Sequence, residues 1–214
     1  MPSQGHGSIP SSAEDALRRR VKAELRKRMR GLRKALPAQA CRERSSRISE
    51  RLVALDPVAR AHAIALFWPI EERHEVDLQA LGASLRERGA RVAFPRVEPE
   101  TGAMAFHFVE DTGRMVDGSS GLREPAPQEP LASHGSLDVI VVPTLAVDPR
   151  GHRIGYGAGY YDRTLPQFAP PASTIAVAFD FQLVAEVPNT EGDVAVGWIV
   201  TDARTLAADA ELPR

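Results

Sequence analysis

Glycines and tyrosines are concentrated in one short stretch, Arg153 to Arg163, which reads RIGYGAGYYDR. Four of the 16 glycines lie within nine residues, from Gly151 to Gly159, and all three tyrosines lie within six. The apolar run LDVIVVP before it predicts a buried strand, and the segment from Tyr161 onward predicts a short helix. Because glycine lets backbone N–H groups approach an anion and a helix start favours negative charge, the stretch predicts a phosphate-binding loop.

The spacing of the glycines excludes the two commonest phosphate loops. The pattern GxxxxGK[ST] is absent, and the chain has no lysine after Lys34. The dinucleotide pattern GxGxxG also fails, because the third glycine comes one residue early. A tight surface loop is the alternative, in which the aromatic rings pack and Asp162 complements a helix start by roughly 0.3–1 kcal/mol.

From Gly151 to Arg163 the chain resembles the signature of the 5-formyltetrahydrofolate cyclo-ligases (methenyltetrahydrofolate synthetases), close to G-x-R-L-G-x-G-x-G-Y-Y-D-R. The one change within it is Ile154 in place of Leu. The resemblance covers about residues 20–203 and is thin between 96 and 136. It implies an α/β fold with a mostly parallel sheet and helices on both faces, similar to ribose-5-phosphate isomerase and CoA-transferase-like folds. The alternation of predicted strands and helices agrees with this class.

Residues 12–35 predict a basic helix with an apolar stripe at spacings of three and four, formed by Leu17, Val21, Leu25, Met29 and Leu32. Three interpretations of its cations remain open: a solvated amphipathic helix, an RNA- or membrane-binding helix, and a phosphate clamp facing the glycine loop. The resemblance favours the clamp, because the family opens with K-x-x-x-R on its first helix, here Lys22 and Arg26. Their spacing of four puts both cations on one face.

Further elements follow in order along the chain. Helices are predicted at 37–55 and 77–88, strands at 61–68, 90–97, 104–109, 173–179 and 194–202, and irregular chain at 110–136. We expect one α/β domain from 12 to 203, with tails at 1–11 and 204–214, the first of them disordered.

The resemblance implies a folate-binding glutamate after the first strand, in a pattern near E-V/I-D-T. Glu75 fits it, although Leu78 replaces the usual Thr. The loop is about two residues longer than in relatives, so Glu71 and Glu72 are alternatives to Glu75. Trp68 matches a position that lines the pterin side of the site. The structural alternative for Trp68 is core packing, and for the glutamates it is a solvated acidic loop.

Two aspartates, Asp162 and Asp193, match the family's magnesium ligands. Mg²⁺ prefers one or two carboxylates together with phosphate oxygens and water. The chain has Gly192 where the family often has His before the second aspartate. The resemblance implies that the ATP-binding residues are Lys22, Arg26, Arg153, Ile154, Gly155, Tyr156, Gly157, Ala158, Gly159, Tyr160 and Tyr161. Trp68, Glu75, Tyr156 and Tyr160 are the implied contacts of the pterin.

Composition and charge are those of an ordinary protein of 214 residues, with 43% hydrophobic and 26% charged residues. Residues 1–60 hold 15 Lys and Arg against 6 Asp and Glu, a net of +9, and residues 61–214 hold 12 against 22, a net of −10. Cys41 is the lone cysteine, and no apolar run approaches a membrane span of ~18 residues. We expect a cytoplasmic monomer.

No pattern for a transition-metal site or a covalent nucleophile is present in the sequence. The implied reaction needs neither, since it closes 5-formyltetrahydrofolate, which can carry a polyglutamate tail, to 5,10-methenyltetrahydrofolate with ATP and Mg²⁺. Two alternatives stay open: a relative with the same ATP site that acts on another pterin or a thiamin-like substrate, and a nucleic-acid-binding module that uses the +9 region. The second ranks low, because RNA binding does not require the glycine loop.

Overall fold

The computed structural model describes residues 11–98, 100–118 and 122–208, whose helices and strands occur in the order βαβ typical of an α/β protein. The helices are α1 (Ser11–Lys34), α2 (Ala38–Ala54), α3 (Asp56–Ala59), α4 (Gln79–Glu87) and α5 (Tyr160–Thr164). The strands are β1 (Ala63–Ala65), β2 (Arg91–Val97), β3 (Met104–Phe108), β4 (Val116–Asp117), β5 (Arg123–Glu124), β6 (Val139–Pro143), β7 (Ala146–Val147), β8 (Arg153–Ile154), β9 (Ser173–Ala178), β10 (Trp198–Thr201) and β11 (Thr205–Ala207).

Seven strands form one sheet in the order β11-β10-β9-β6-β1-β2-β3. The five central strands pair in parallel, and the two edge strands, β3 and β11, pair antiparallel to their neighbours. Central parallel strands are buried on both faces and are therefore continuously apolar, as the run VIVV of β6 is. The predicted mostly parallel α/β sheet is confirmed.

The two faces of the sheet carry separate hydrophobic cores because alternate residues of a strand point to opposite sides. On one face, Val139 and Val141 of β6 pack in the core that includes residues of α2 and α4. On the other face, Ile140 and Val142 pack in the core that includes Leu165, which follows α5. Helical segments therefore cover both faces of the sheet.

The buried face of α1 differs from the predicted apolar stripe. Leu17 and Leu32 are exposed to 61% and 44%, whereas Lys22 and Arg33 are buried to 7% and 3% exposure. Of the stripe, Met29 is fully buried, in a small core with Leu145 and Ile154. The prediction was wrong here because the cations on α1 find partners in the fold, which offset the cost of burying them.

The structure differs from two further predictions, and a third falls almost wholly outside the described residues. The predicted tail from 204 contains β11, whose residues 205–207 hydrogen-bond to β10. The irregular region 110–136 contains the antiparallel pair of β4 and β5. The predicted tail 1–11 lies outside the described residues except for Ser11, where α1 begins. In the described part of the chain, no helix is long and apolar enough to cross a membrane.

We expect Gly151→Ala to lower the free energy of unfolding by about 2–5 kcal/mol. Gly151 has a φ of +83°, and a Cβ there would lie 2.2 Å from the carbonyl oxygen of Val196. The control is Gly31→Ala in α1, where a Cβ meets nothing within 4 Å and alanine raises stability by about 0.5–1 kcal/mol. Urea unfolding measures both, and a Gly151→Ala stability equal to that of the unmodified chain contradicts the prediction.

Candidate active site

A cavity of about 410 Å³ opens at the carboxyl ends of the parallel strands, where ligands bind in open α/β sheets. Pro143 at the end of β6 and Phe67 and Trp68 after β1 form part of its floor. Helix α1, the glycine-rich loop between β8 and α5, and the ends of β2 and β5 also line it. The cavity thus collects residues from both ends of the chain.

The glycine-rich loop begins at β8, where Ile154 pairs with Ala146 of β7 and is buried against Met29 of α1. Gly157 and Gly159 have φ values of +107° and +68°, which side chains with a Cβ rarely adopt. Gly159 is the N-cap of α5, so the helix begins at Tyr160, one residue before the predicted start. Every residue from Arg153 to Asp162 lines the cavity.

Both predicted cations of α1 reach the loop side of the cavity. Lys22 Nζ donates hydrogen bonds to Asp193 Oδ2 and, at 3.1 Å, to Thr190 Oγ1. Arg26 Nε donates to the carbonyl oxygen of Gly155 at 2.9 Å, and its guanidinium lies beside Gly157. The spacing of four residues therefore places both cations on the face of α1 that borders the cavity.

Two carboxylates, those of Asp162 and Asp193, lie next to these cations. The peptide group between Asp193 and Val194 links them, because its N–H donates to Asp162. Asp162 Oδ1 accepts from Arg153 Nη2 at 3.0 Å and from the backbone N–H of Val194 at 3.2 Å. Asp193, the residue before Val194, is held through Oδ2 by Lys22 and by the N–H of Thr190. Burial alone would raise the pKa of Asp193, but these hydrogen bonds outweigh it and lower the pKa, so the carboxylate is ionised at neutral pH.

Asp162 and Asp193 offer the kind of oxygen ligand that Mg²⁺ prefers when it is also bound to phosphate. Hydrogen bonds from described residues reach only Oδ1 of Asp162 and Oδ2 of Asp193. Within the described ranges no cluster of three or more His, Cys, Asp or Glu is suited to a metal. Two carboxylates are what Mg²⁺ requires from protein when phosphate oxygens and water complete its coordination.

Behind the loop, Arg33 joins two residues of the cavity wall. Its Nη2 donates to the hydroxyl of Tyr156 and lies 3.5 Å from Glu75 Oε1, and its Nε donates to the carbonyl of Arg73 at 2.9 Å. The Arg33 and Glu75 side chains are only 4% and 6% exposed. Burial, together with the charge of Glu75, raises the pKa of Tyr156 to about 12, so its hydroxyl stays protonated.

The position of Glu75 separates it from the other two candidate glutamates. Glu75 is buried and lines the cavity, and its Oε2 accepts from the backbone N–H of Ile70 at 3.0 Å. Glu71 and Glu72 lie in an exposed 3-10 turn and are not among the residues that line this cavity. Only Glu75 of the three is therefore placed to influence a ligand there.

Aromatic residues also line the cavity. Trp68 is half-buried and meets Phe94 edge-on at a centroid distance of 5.9 Å, and the Arg123 guanidinium lies 5.6 Å from its ring centroid. Tyr161 has a buried hydroxyl with no hydrogen-bond partner among the described residues. Burial, together with the charge of Glu75, raises its pKa above the usual range, so this hydroxyl is a protonated donor available to a ligand.

All the residues predicted for the site line this one cavity, including Ala158 and Tyr160. Their individual roles stay predictions. Sequence reasoning did not single out Arg33 or Thr190, and it matched Arg123 and Glu124 only to a family element, G-I-x-E-P, that has no assigned chemical role. Arg33 follows Arg26 by seven residues, and this spacing could have indicated it, because the two side chains then lie on one face of α1.

Comparisons with known proteins identify the family of the chain. The sequence model of the 5-formyltetrahydrofolate cyclo-ligase family matches residues 18–202. A cyclo-ligase of Mycolicibacterium smegmatis is 41% identical over 133 residues, 60% of this chain and 69% of the relative. The cyclo-ligase of Escherichia coli (strain K12) is 30% identical over 179 residues, 82% of this chain and 97% of the relative.

Two solved structures share the fold. The 5,10-methenyltetrahydrofolate synthetase of Aquifex aeolicus superposes with a TM-score of 0.77 at 28% identity, over 91% of this chain and 95% of that one. The corresponding synthetase of Mycoplasma pneumoniae gives a TM-score of 0.68 at 26% identity, over 85% of this chain and 98% of that one. The chain therefore belongs to the 5-formyltetrahydrofolate cyclo-ligase family of enzymes.

Proposed function

We propose that the chain closes 5-formyltetrahydrofolate to 5,10-methenyltetrahydrofolate at the expense of ATP, with Mg²⁺ bound, and releases ADP and phosphate. The observation that carries this proposal is that one cavity is lined by groups suited to two different ligands. Lys22, Arg26, Asp162 and Asp193 are charged, whereas Trp68 offers an aromatic ring. We infer that a triphosphate binds at the charged part of the cavity and a pterin ring at the aromatic part.

At the charged part, Lys22, Arg26 and Arg153 would hold the phosphates, and the loop amides from Gly155 to Gly159 would approach their oxygens. Asp162 and Asp193 would hold Mg²⁺, which when bound neutralises phosphate charge and orients the transferred group. Lys22 forms an ion pair with Asp193, and Arg153 forms one with Asp162. When a metal ion binds these carboxylates, the two cations would be free to bind phosphate.

At the other part, Trp68, Tyr156 and Tyr160 would offer flat faces to the pterin. Glu75 would orient that ring, through the wall that it forms with Arg33 and Tyr156.

The substrates supply both nucleophiles, so the protein's task is alignment. The formyl oxygen attacks the γ-phosphorus and ADP leaves; N10 then attacks the activated formyl carbon, its proton is lost, and the C–O bond breaks to release phosphate. Phosphoryl transfers of this kind depend on positioning and on neutralising charge. The absence of a recognisable covalent nucleophile from the sequence is consistent with this chemistry.

We expect the chain to form the methenyl product from 5-formyltetrahydrofolate only when ATP and Mg²⁺ are both present, as followed by methenyl absorbance. Asp162→Asn should lower the turnover number by about 100-fold, the scale of misplaced reactants. The matched control is Asp56→Asn, since the Asp56 side chain is 81% exposed and lies in α3. An inactive native chain contradicts the proposed function, whereas an Asp162→Asn variant at full rate contradicts only the metal role.

We expect Tyr161→Phe to keep or slightly raise the melting temperature while lowering kcat/KM by about 10-fold. The variant removes a buried hydroxyl that has no partner among the described residues, so the folded protein loses no hydrogen bond. A bound substrate would lose one hydrogen bond, worth roughly 1 kcal/mol or more. Thermal unfolding and steady-state kinetics on the same preparation measure both effects, and an unchanged kcat/KM contradicts a role for this hydroxyl in binding.

A further inference from the structure

Two buried glutamates, Glu75 and Glu124, line the cavity, and they differ in how much of their hydrogen-bonding capacity the protein uses. The Glu75 carboxylate lies beside the Arg33 guanidinium and the Tyr156 hydroxyl. Its Oε2 also accepts a hydrogen bond from the backbone N–H of Ile70. A carboxylate with three internal partners has little acceptor capacity left for a ligand. Its contacts are those of a residue that builds the wall.

Glu124 has much less internal support. It is the last residue of β5 and is only 4% exposed, and its nearest cation is Arg96, whose Nη1 lies 4.0 Å from Oε2. That Nη1 donates instead to the carbonyl oxygen of Pro125, at 2.9 Å. Among the described residues, no side chain donates a hydrogen bond to the Glu124 carboxyl group within 3.5 Å.

The backbone of Glu124 is positioned by the sheet. Strand β5 pairs with β4, and the Glu124 carboxyl group lies over Gly118, where a Cβ would come within 2.4 Å of its carboxyl carbon. Burial raises the pKa of Glu124, while a hydrogen bond from the backbone N–H of Val97 and the Arg96 guanidinium lower it and the charge of Glu98 raises it. A buried carboxylate with one backbone donor and no side-chain donor has acceptor capacity left for a ligand.

The surroundings of Glu124 define the chemistry of what would bind. The same wall carries Trp68, with Arg123 near its ring, and the apolar residues Pro95, Val97 and Met104 line the cavity close by. A flat heterocycle that presents two adjacent N–H donors at its edge meets these conditions, because a carboxylate accepts such a pair through both oxygens. The N3–H and 2-amino groups of a pterin are a pair of this kind.

We propose that Glu124 recognises the N3–H and 2-amino edge of the pterin ring, and that Glu75 supports the cavity wall through Arg33 and Tyr156. This inference rests on the proposed function, since it names the residue that selects the substrate of that same site. Glu124 is thereby a specificity-determining residue. It contacts the end of the substrate that does not react, so its loss weakens folate binding and leaves ATP binding intact.

The test pairs a change in the protein with a change in the ligand. Dissociation constants are measured by tryptophan fluorescence, without ATP, for 5-formyltetrahydrofolate and for its analogue in which hydrogen replaces the 2-amino group. The native chain should bind the analogue at least about 10-fold more weakly, and Glu124→Gln should bind both ligands within about 3-fold of each other. Glu124→Gln should keep the native affinity for ATP.

Two matched controls accompany this comparison. Glu98→Gln removes a neighbouring acid that lies 3.5 Å from the same Arg96 but does not line the cavity, and it should keep the native discrimination. Glu75→Gln should also keep the discrimination, although it weakens the wall. If Glu75→Gln abolishes the discrimination instead, Glu75 and not Glu124 recognises this edge.

Other outcomes separate the two proposals. Equal discrimination by Glu124→Gln and the native chain overturns the inference, as does a native chain that binds both ligands equally well. If Glu124→Gln does not fold, Glu124→Asp replaces it; its carboxylate is withdrawn by one methylene, so discrimination should fall, and undiminished discrimination overturns the inference. A native chain that neither binds nor converts 5-formyltetrahydrofolate overturns the proposed function itself.

Discussion

The attachment of α1 to the glycine-rich loop is the constraint on which the cavity depends. Lys22, Arg26 and Arg33 lie on one face of α1, and each contacts a different part of the wall: Asp193, the carbonyl of Gly155, and the pair of Tyr156 and Glu75. Lys22 and Arg33 are buried, and removing the partner of a buried charge costs far more than losing an exposed ion pair. Helix and loop are therefore held together as one unit, with the cavity enclosed between them and the sheet.

Charged and apolar groups both line this cavity. The carboxylates and cations come from the loop, α1 and the segment around Asp193, which contact one another. Trp68, Pro95, Val97 and Met104 add aromatic and apolar surface, together with the buried acid Glu124. Under the proposed function, the charged groups bind the triphosphate and the aromatic and apolar groups bind the pterin, so the protein needs only to align its substrates.

The sequence predicted the fold class and the site's main loop well, and it predicted the side-chain environment poorly. Continuous apolar runs such as that of β6 indicate buried parallel strands, and this inference needs no knowledge of distant residues. The apolar stripe of α1 was misleading, because periodicity treats Leu17 and Leu32 as buried residues and Lys22 and Arg33 as exposed ones. Whether a cation can be buried depends on the partner it meets, which a local pattern does not contain.

What the sequence by itself determined is local: the glycine-rich signature, the cations four residues apart at Lys22 and Arg26, and the order of helices and strands. These features act within a few residues of chain, through backbone freedom and helical periodicity. Only the tertiary structure decided that Lys22 meets Asp193, 171 positions away, and that Glu75 is held by Arg33 while Glu124 keeps free acceptor capacity. Hydrogen bonds and burial depend on residues that are close in space but distant in sequence. Which residues become partners therefore follows from the packing of the whole chain.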